Sequence, residues 1–100
     1  MNEKIVVLVP VDLAELIPLF LETRQQDISG LYLGLASNDF ESIRVIGHSM
    51  LGTGSSFGFD QISSMGAIIE DAALIRDSQA IKAQLVEFQT FLSMVEIKYV

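Results

Sequence analysis

One histidine, His48, and no cysteine stand among the 100 residues, so most of the side-chain chemistry open to this chain converges on a single imidazole. With a reference pKa near 6.5, that ring is largely neutral at pH 7 and leaves one nitrogen with a free lone pair. Such a nitrogen can attack an electrophile, and a carboxylate accepting the other N–H would fix which nitrogen is free. Thiol catalysis, disulfides and thiolate metal sites are excluded. One histidine with carboxylates alone is a poor metal set, so neither a metal nor a cofactor is expected. No serine lies in a nucleophile-elbow pattern, and Gly54-Ser55-Ser56-Phe57-Gly58 lacks the lysine of a nucleotide-binding loop. A nucleotide-dependent kinase is therefore not expected.

Placed at about 100° per residue, the neighbours of His48 sort into two sides. Ile43, Ile46, Met50 and Thr53 fall opposite it and form the core side, whereas Glu41, Arg44, Val45, Leu51, Gly52 and Ser55 share its side. Gly52 asks for a reason, because glycine inside a helix costs about 1 kcal/mol relative to alanine. It either clears space beside the imidazole or lets another helix approach, the role read for Gly47 and Gly54. Arg44, one turn before His48, could lend positive charge to an anionic group on the ring; pairing with Glu41 is the favoured alternative. Val45 and Leu51 are apolar on a side that need not face the core, which suggests a docking surface unless a neighbouring helix covers one of them.

These residues need rigid elements to hold them. Ile5–Val9 is β-branched and apolar and is stopped by Pro10, so it reads as extended. Asp12 is placed as the cap of a short helix through Leu13, Leu16 and Ile17, broken at Pro18. A longer helix is predicted from Pro18 to Ala36, burying Phe20, Leu21, Ile28, Leu31 and Leu35. The turn Ser37-Asn38-Asp39 precedes a helix over 39–54, with Glu41 in its first turn. After the small-residue connection, a helix from Phe59 to Leu74 carries Ile62, Met65, Ile68, Ile69 and Ala73, with Phe57 and Phe59 as core plugs. Asp77-Ser78 opens the last helix, which carries Ile81, Leu85, Phe88, Phe91 and Leu92 at helical spacing. Short turns between amphipathic helices predict an all-α, antiparallel up-down four-helix bundle with a short extra N-terminal helix. Ile5–Val9 and Glu96–Tyr99 are expected to pair there, running in opposite directions.

A hydrophobic share of 50% supports one packed core, hence one domain over residues 1–100. The net charge of -7 argues against nucleic acid or an anionic membrane and leaves proteins as partners. No apolar run reaches the roughly 20 residues that span a bilayer. Met1-Asn2-Glu3-Lys4-Ile5 makes a poor secretory leader, so a cytoplasmic location is expected. No extended apolar patch is established, so the chain is expected to be a monomer.

The order His48-Ser49-Met50-Leu51-Gly52, then Phe57-Gly58-Phe59, then Glu70-Asp71-Ala72-Ala73 resembles the histidine phosphotransfer domain family, most closely the phosphotransfer domain of chemotaxis histidine kinases. His48, Gly52, Gly58 and Ile62 match the family's histidine, following glycine, helix-opening glycine and hydrophobic position. The likeness runs loosely from Asp12 to Leu92; its specific part is Gly47–Glu70. It implies a phosphoryl carrier rather than an enzyme, with His48 as covalent acceptor, Glu70 orienting the imidazole and Gly52 giving clearance. Arg44 becomes a candidate charge helper, and Val45, Leu51 and Ser55 candidate docking residues. The implied partners are a response-regulator receiver domain, a histidine kinase, or both, with any magnesium belonging to them. Leu51 departs from the pattern, since the family has lysine there. The alternative is accordingly a docking module of the same fold that regulates a kinase or receiver without carrying phosphate.

Overall fold

A computed structural model describes residues 3–100; Met1 and Asn2, the start of the segment read as a poor leader, lie outside them. Strand β1 (Ile5–Val9) leads through a 3-10 turn at Val11–Leu13 into helix α1 (Ile17–Ser37). Helix α2 (Phe40–Gly54), a 3-10 turn at Ser55–Phe57, helix α3 (Asp60–Leu74), helix α4 (Ser78–Met94) and strand β2 (Val95–Tyr99) complete the chain. The four-helix bundle and the pairing of the termini are as the sequence predicts.

The helix ends follow local chemistry. Asp39 caps α2 by accepting the Ser42 N–H at 3.1 Å, and Asp77 caps α4 by accepting the Ala80 N–H at 3.1 Å. Asn38, at φ 54°, ends α1 in the left-handed conformation, and the next amide, Asp39 N–H, returns to the Gly34 carbonyl at 2.8 Å.

Three expectations are corrected. No α-helix runs from Asp12 to Ile17, and Asp12 caps nothing there: it sits inside the 3-10 turn, whose N-cap position is Pro10. Pro18 does not break a helix but lies in the first turn of α1, where its missing N–H has no partner to lose. The terminal strands run parallel, with Ile5 opposite Val95 and Val9 opposite Tyr99. Successive turn bonds (Leu13 N–H to Pro10, Ala14 N–H to Val11, Leu16 N–H to Leu13) reverse the chain between β1 and α1, a reversal that simple up-down counting omits.

Val9, Ile17, Leu31, Ile43, Met50, Phe59, Ile62, Ile69, Ile81 and Phe88 form the fully buried centre. Phe20 stacks on Phe57 at 4.6 Å and tilts onto Phe59 at 5.1 Å, so both aromatics of the α2–α3 connection are seated as core plugs. Ile68 is the exception on α3: it is exposed, because it lies off the stripe formed by Ile62, Met65 and Ile69. Helices α2 and α3 pack backbone against backbone. A Cβ on Gly66 would stand 2.5 Å from the Leu51 nitrogen, and one on Gly47 would stand 2.7 Å from the Glu70 nitrogen. That approach sets the spacing of the two helices on which His48 and Glu70 are mounted.

Candidate functional site

His48 projects from the middle of α2 with 70% of its side chain exposed, and its Nδ1 lies 2.9 Å from Glu70 Oε2. Glu70 sits on α3 with only 18% of its side chain exposed. Because Gly47 meets Glu70 through their backbones, the residue after Gly47 is held within reach of the Glu70 carboxylate. An ionised carboxylate only accepts, so Nδ1 carries the proton it donates to Glu70 and the lone pair falls on the outward Nε2. The histidine and glutamate singled out from the sequence are thus brought together.

Open space lies beside the ring. A Cβ built on Gly52 meets nothing within 4 Å, in contrast to Gly47 and Gly54, whose added Cβ atoms would strike α3 backbone. Gly52 therefore makes no close packing, while Gly47 and Gly54 do. Val45 and Leu51 remain 53% and 38% exposed, so neither is buried between the helices. Ser55 stands in the 3-10 turn rather than in the helix. Its amide and hydroxyl both point to the Ser63 oxygen, at 2.8 Å and 2.9 Å.

Arg44 pairs chiefly with Glu41, its Nε lying 3.0 Å from Glu41 Oε2, as the favoured sequence reading has it. Its Nη1 also reaches 3.8 Å from Glu70 Oε2. The Glu41 carboxyl is held below the usual carboxylate range, mainly by its hydrogen bond to Arg44. The same bond raises Arg44, with the Glu41 charge and more weakly the Glu70 charge adding to it. A line of alternating charge, Glu41–Arg44–Glu70, therefore runs across the α2–α3 face and ends at His48.

Two supporting groups escape the sequence reading. Ser63 is buried and donates to the Leu51 carbonyl at 2.9 Å while accepting from Ser55, tying the end of α2 to α3. Arg24 is 3% exposed; its Nε lies 2.7 Å from Asp27 Oδ2, off the hydrogen-bonding line, and it donates to the Thr53 hydroxyl. Burial raises the Asp27 carboxyl against the opposing pull of Arg24. The small residues Ser63 and Gly66, three apart on one helix face, are the signal that could have located the close approach. Nothing in the spacing of Arg24 and Thr53 foretells their contact.

Among the described residues, no helix is long and apolar enough to cross a membrane. The sequence model of the Hpt domain matches residues 15–97. No curated protein and no solved structure matches the chain.

Proposed function

The chain belongs to the Hpt domain family, whose members relay phosphoryl groups on a histidine, and we propose that His48 is the residue that carries the group here. The observation that carries the proposal is the exposed imidazole with Nδ1 engaged by Glu70, which leaves Nε2 free toward solvent beside the gap at Gly52. The Nε2 lone pair attacks the phosphorus of a receiver's phosphoaspartate, or of a kinase-held nucleotide. An N–P bond forms, the P–O bond to the donor breaks, and the donor oxygen leaves with the electron pair. Positive charge develops on the ring, and the Glu70 carboxylate offsets it through the Nδ1–H it accepts. In the onward step a receiver aspartate attacks phosphorus, and Nε2 recovers its lone pair.

Gly52 leaves room for the phosphoryl group and for the partner's loop. Val45 and Leu51, exposed around the reactive ring, supply apolar docking surface, with Ser55 at its edge. Arg44 is the nearest candidate cation: turning from Glu41 toward the phosphoryl oxygens, it would stand in for the lysine that Leu51 replaces. We read the chain as a single domain over residues 1–100, working in the cytoplasm with a receiver domain, a histidine kinase or both. The engagement of histidine by Glu70 favours the chemotaxis type within the family.

Transfer of labelled phosphate from a panel of phosphorylated kinases and receivers tests the proposal, with His48→Gln as control. Acid-labile label on the native chain and none on the variant is the expected result. Label that survives on His48→Gln refutes the assignment. A second reading, a docking module that binds a receiver or kinase without carrying phosphate, draws its support from Leu51 and from the engagement of Arg44 by Glu41. Binding without label, with every partner, selects it.

A further inference from the structure

The terminal sheet has two strands and therefore two outer edges, and they are not alike. The outer edge of β1 is backed by the connection into α3: a Cβ on Gly58 would lie 3.1 Å from the Leu8 carbonyl oxygen. Along β2, β1 is the one strand paired among the described residues. Val100 N–H donates to the Val9 carbonyl at 2.9 Å, and Val11 N–H donates to the Val100 carbonyl at 2.9 Å, so Val100 directs both of its backbone groups to the side of β1 and the turn that follows it. Backbone direction alternates along a strand. Glu96 and Lys98 accordingly bond β1, while Ile97 and Tyr99 aim their N–H and C=O groups away from it, where no hydrogen-bond partner stands among the described residues.

We propose that this edge joins a second copy of the chain, β2 pairing antiparallel with β2 of the partner about a two-fold axis at Ile97. The register follows from the outward groups. Outward residues must face outward residues, so the axis passes through a residue rather than between two; at Glu96 or Lys98 it would set like charges opposite each other, and of the remaining positions Ile97 uses the whole strand. Ile97 then exchanges two hydrogen bonds with its symmetry mate, and the carbonyl of Val95 accepts from Tyr99 of the other copy. Glu96 comes opposite Lys98 of the other copy, and Lys98 opposite Glu96, in the closely spaced non-hydrogen-bonded positions where side chains interact most. Both residues are exposed, and neither has an ion-pair partner within the chain among the described residues.

Charge on an edge strand ordinarily repels a second strand; here the order Glu-Ile-Lys turns it into two attractions, but only in this register. On the opposite face the partly buried Val95 and Ile97 and the half-exposed Tyr99 extend a continuous apolar layer across the axis. The product is a four-stranded sheet in the order β1-β2-β2-β1, past the size at which a lone two-stranded ribbon is marginal. The monomer expected from the sequence rested on the lack of an extended apolar patch, and an open backbone edge leaves no trace in side-chain polarity.

Sedimentation equilibrium of the whole chain over a wide concentration range tests the proposal. A particle of two 11.0 kDa chains is expected. Lys98→Glu, which sets like charges against each other twice, should weaken the dimer by roughly tenfold, and the reversed pair Glu96→Lys/Lys98→Glu should restore it. Ile97→Pro, which removes an outward donor while leaving the bonds to β1, should give monomer, with circular dichroism confirming that each variant is folded. A native chain that stays monomeric up to about 1 mM, a dimer indifferent to Lys98→Glu, or a reversal that restores nothing would each overturn it. None of these residues touches His48, so failure here leaves the phosphotransfer proposal standing, and the converse holds.

Discussion

Gly52 offers a perturbation in which stability and function should move in opposite directions. A Cβ added there meets nothing within 4 Å, and the residue lies inside α2 with no positive φ to accommodate. Gly52→Ala therefore removes a helix penalty of about 1 kcal/mol without creating a clash. For a domain of this length that gain corresponds to a rise in Tm of about 4–8 °C. Gly52→Gln keeps most of the gain, since glutamine is also a good helix former, but fills the space beside His48. If the gap serves the incoming phosphoryl group and its donor, this variant should be more stable than the native chain and should accept label at least about tenfold more slowly, a barrier increase of about 1.4 kcal/mol. Thermal unfolding by circular dichroism gives the first quantity and a phosphotransfer time course the second. Lower stability in Gly52→Ala would refute the open-space geometry. Full-speed transfer in a stabilised Gly52→Gln would refute the clearance role while leaving the geometry intact.

Other perturbations probe the rest of the framework. Glu70→Ala removes the acceptor of the Nδ1–H; a hydrogen bond to a charged group is worth about 1.5–3 kcal/mol, so transfer should slow by about tenfold to a hundredfold with the fold retained, and an unchanged rate would remove Glu70 from the mechanism. Gly66→Ala forces a methyl to within 2.5 Å of α2 backbone and should cost about 1–3 kcal/mol, read as a lower midpoint in urea unfolding, with transfer slowed because His48 and Glu70 are drawn apart. Asp39 has its carboxyl held below the usual range, first by the Ser42 hydroxyl and then by the Ser42 amide. Its stabilising effect is thus full above the unfolded carboxylate pKa, about 3.9, and is lost as pH falls through the lower folded value. The stability gap between native and Asp39→Ala chains should accordingly close in acid, and a gap constant down to pH 2 would contradict this linkage.

The parts of the fold legible in the sequence were those fixed by one side chain acting on its neighbours. Asp39 and Asp77 mark the starts of α2 and α4 because each carboxylate meets an amide three residues on. The misreadings came where distant contacts decide. Leu13, Leu16 and Ile17 recur at helical spacing, yet the chain spends Val11–Leu13 in a 3-10 turn because β1 must first lie alongside β2 and then reverse. Ile68 fits the apolar period of α3 but lies to one side of its buried stripe. Arg24, which the sequence reading passed over, is buried where α2 supplies a hydroxyl, and α1 itself a carboxylate, to receive it. The pairing of His48 with Glu70 joins two helices across 22 positions, a separation that no local periodicity encodes; it reached the sequence reading through family resemblance.

What the sequence does encode locally is the means of bringing those helices together. Gly47, Gly54 and Gly66 lack side chains where α2 and α3 touch, and Ser63 uses its hydroxyl to bind the Leu51 carbonyl across the same seam. Gly52, on the other side of α2, lacks a side chain where nothing touches at all. The same residue type thus serves two opposed ends, contact on the buried side and vacancy on the exposed side. The distinction matters for Leu51. Its amide nitrogen is pinned by the close approach of Gly66 and its carbonyl by Ser63, while Leu51 itself stays 38% exposed. Backbone constraints therefore do not dictate the leucine, and a lysine at this position would extend from the same fixed backbone without repacking the core. On the phosphotransfer proposal, the departure from the family pattern is a change in surface chemistry beside His48, and any positive charge there would have to come from Arg44, one turn away and already shared between Glu41 and Glu70.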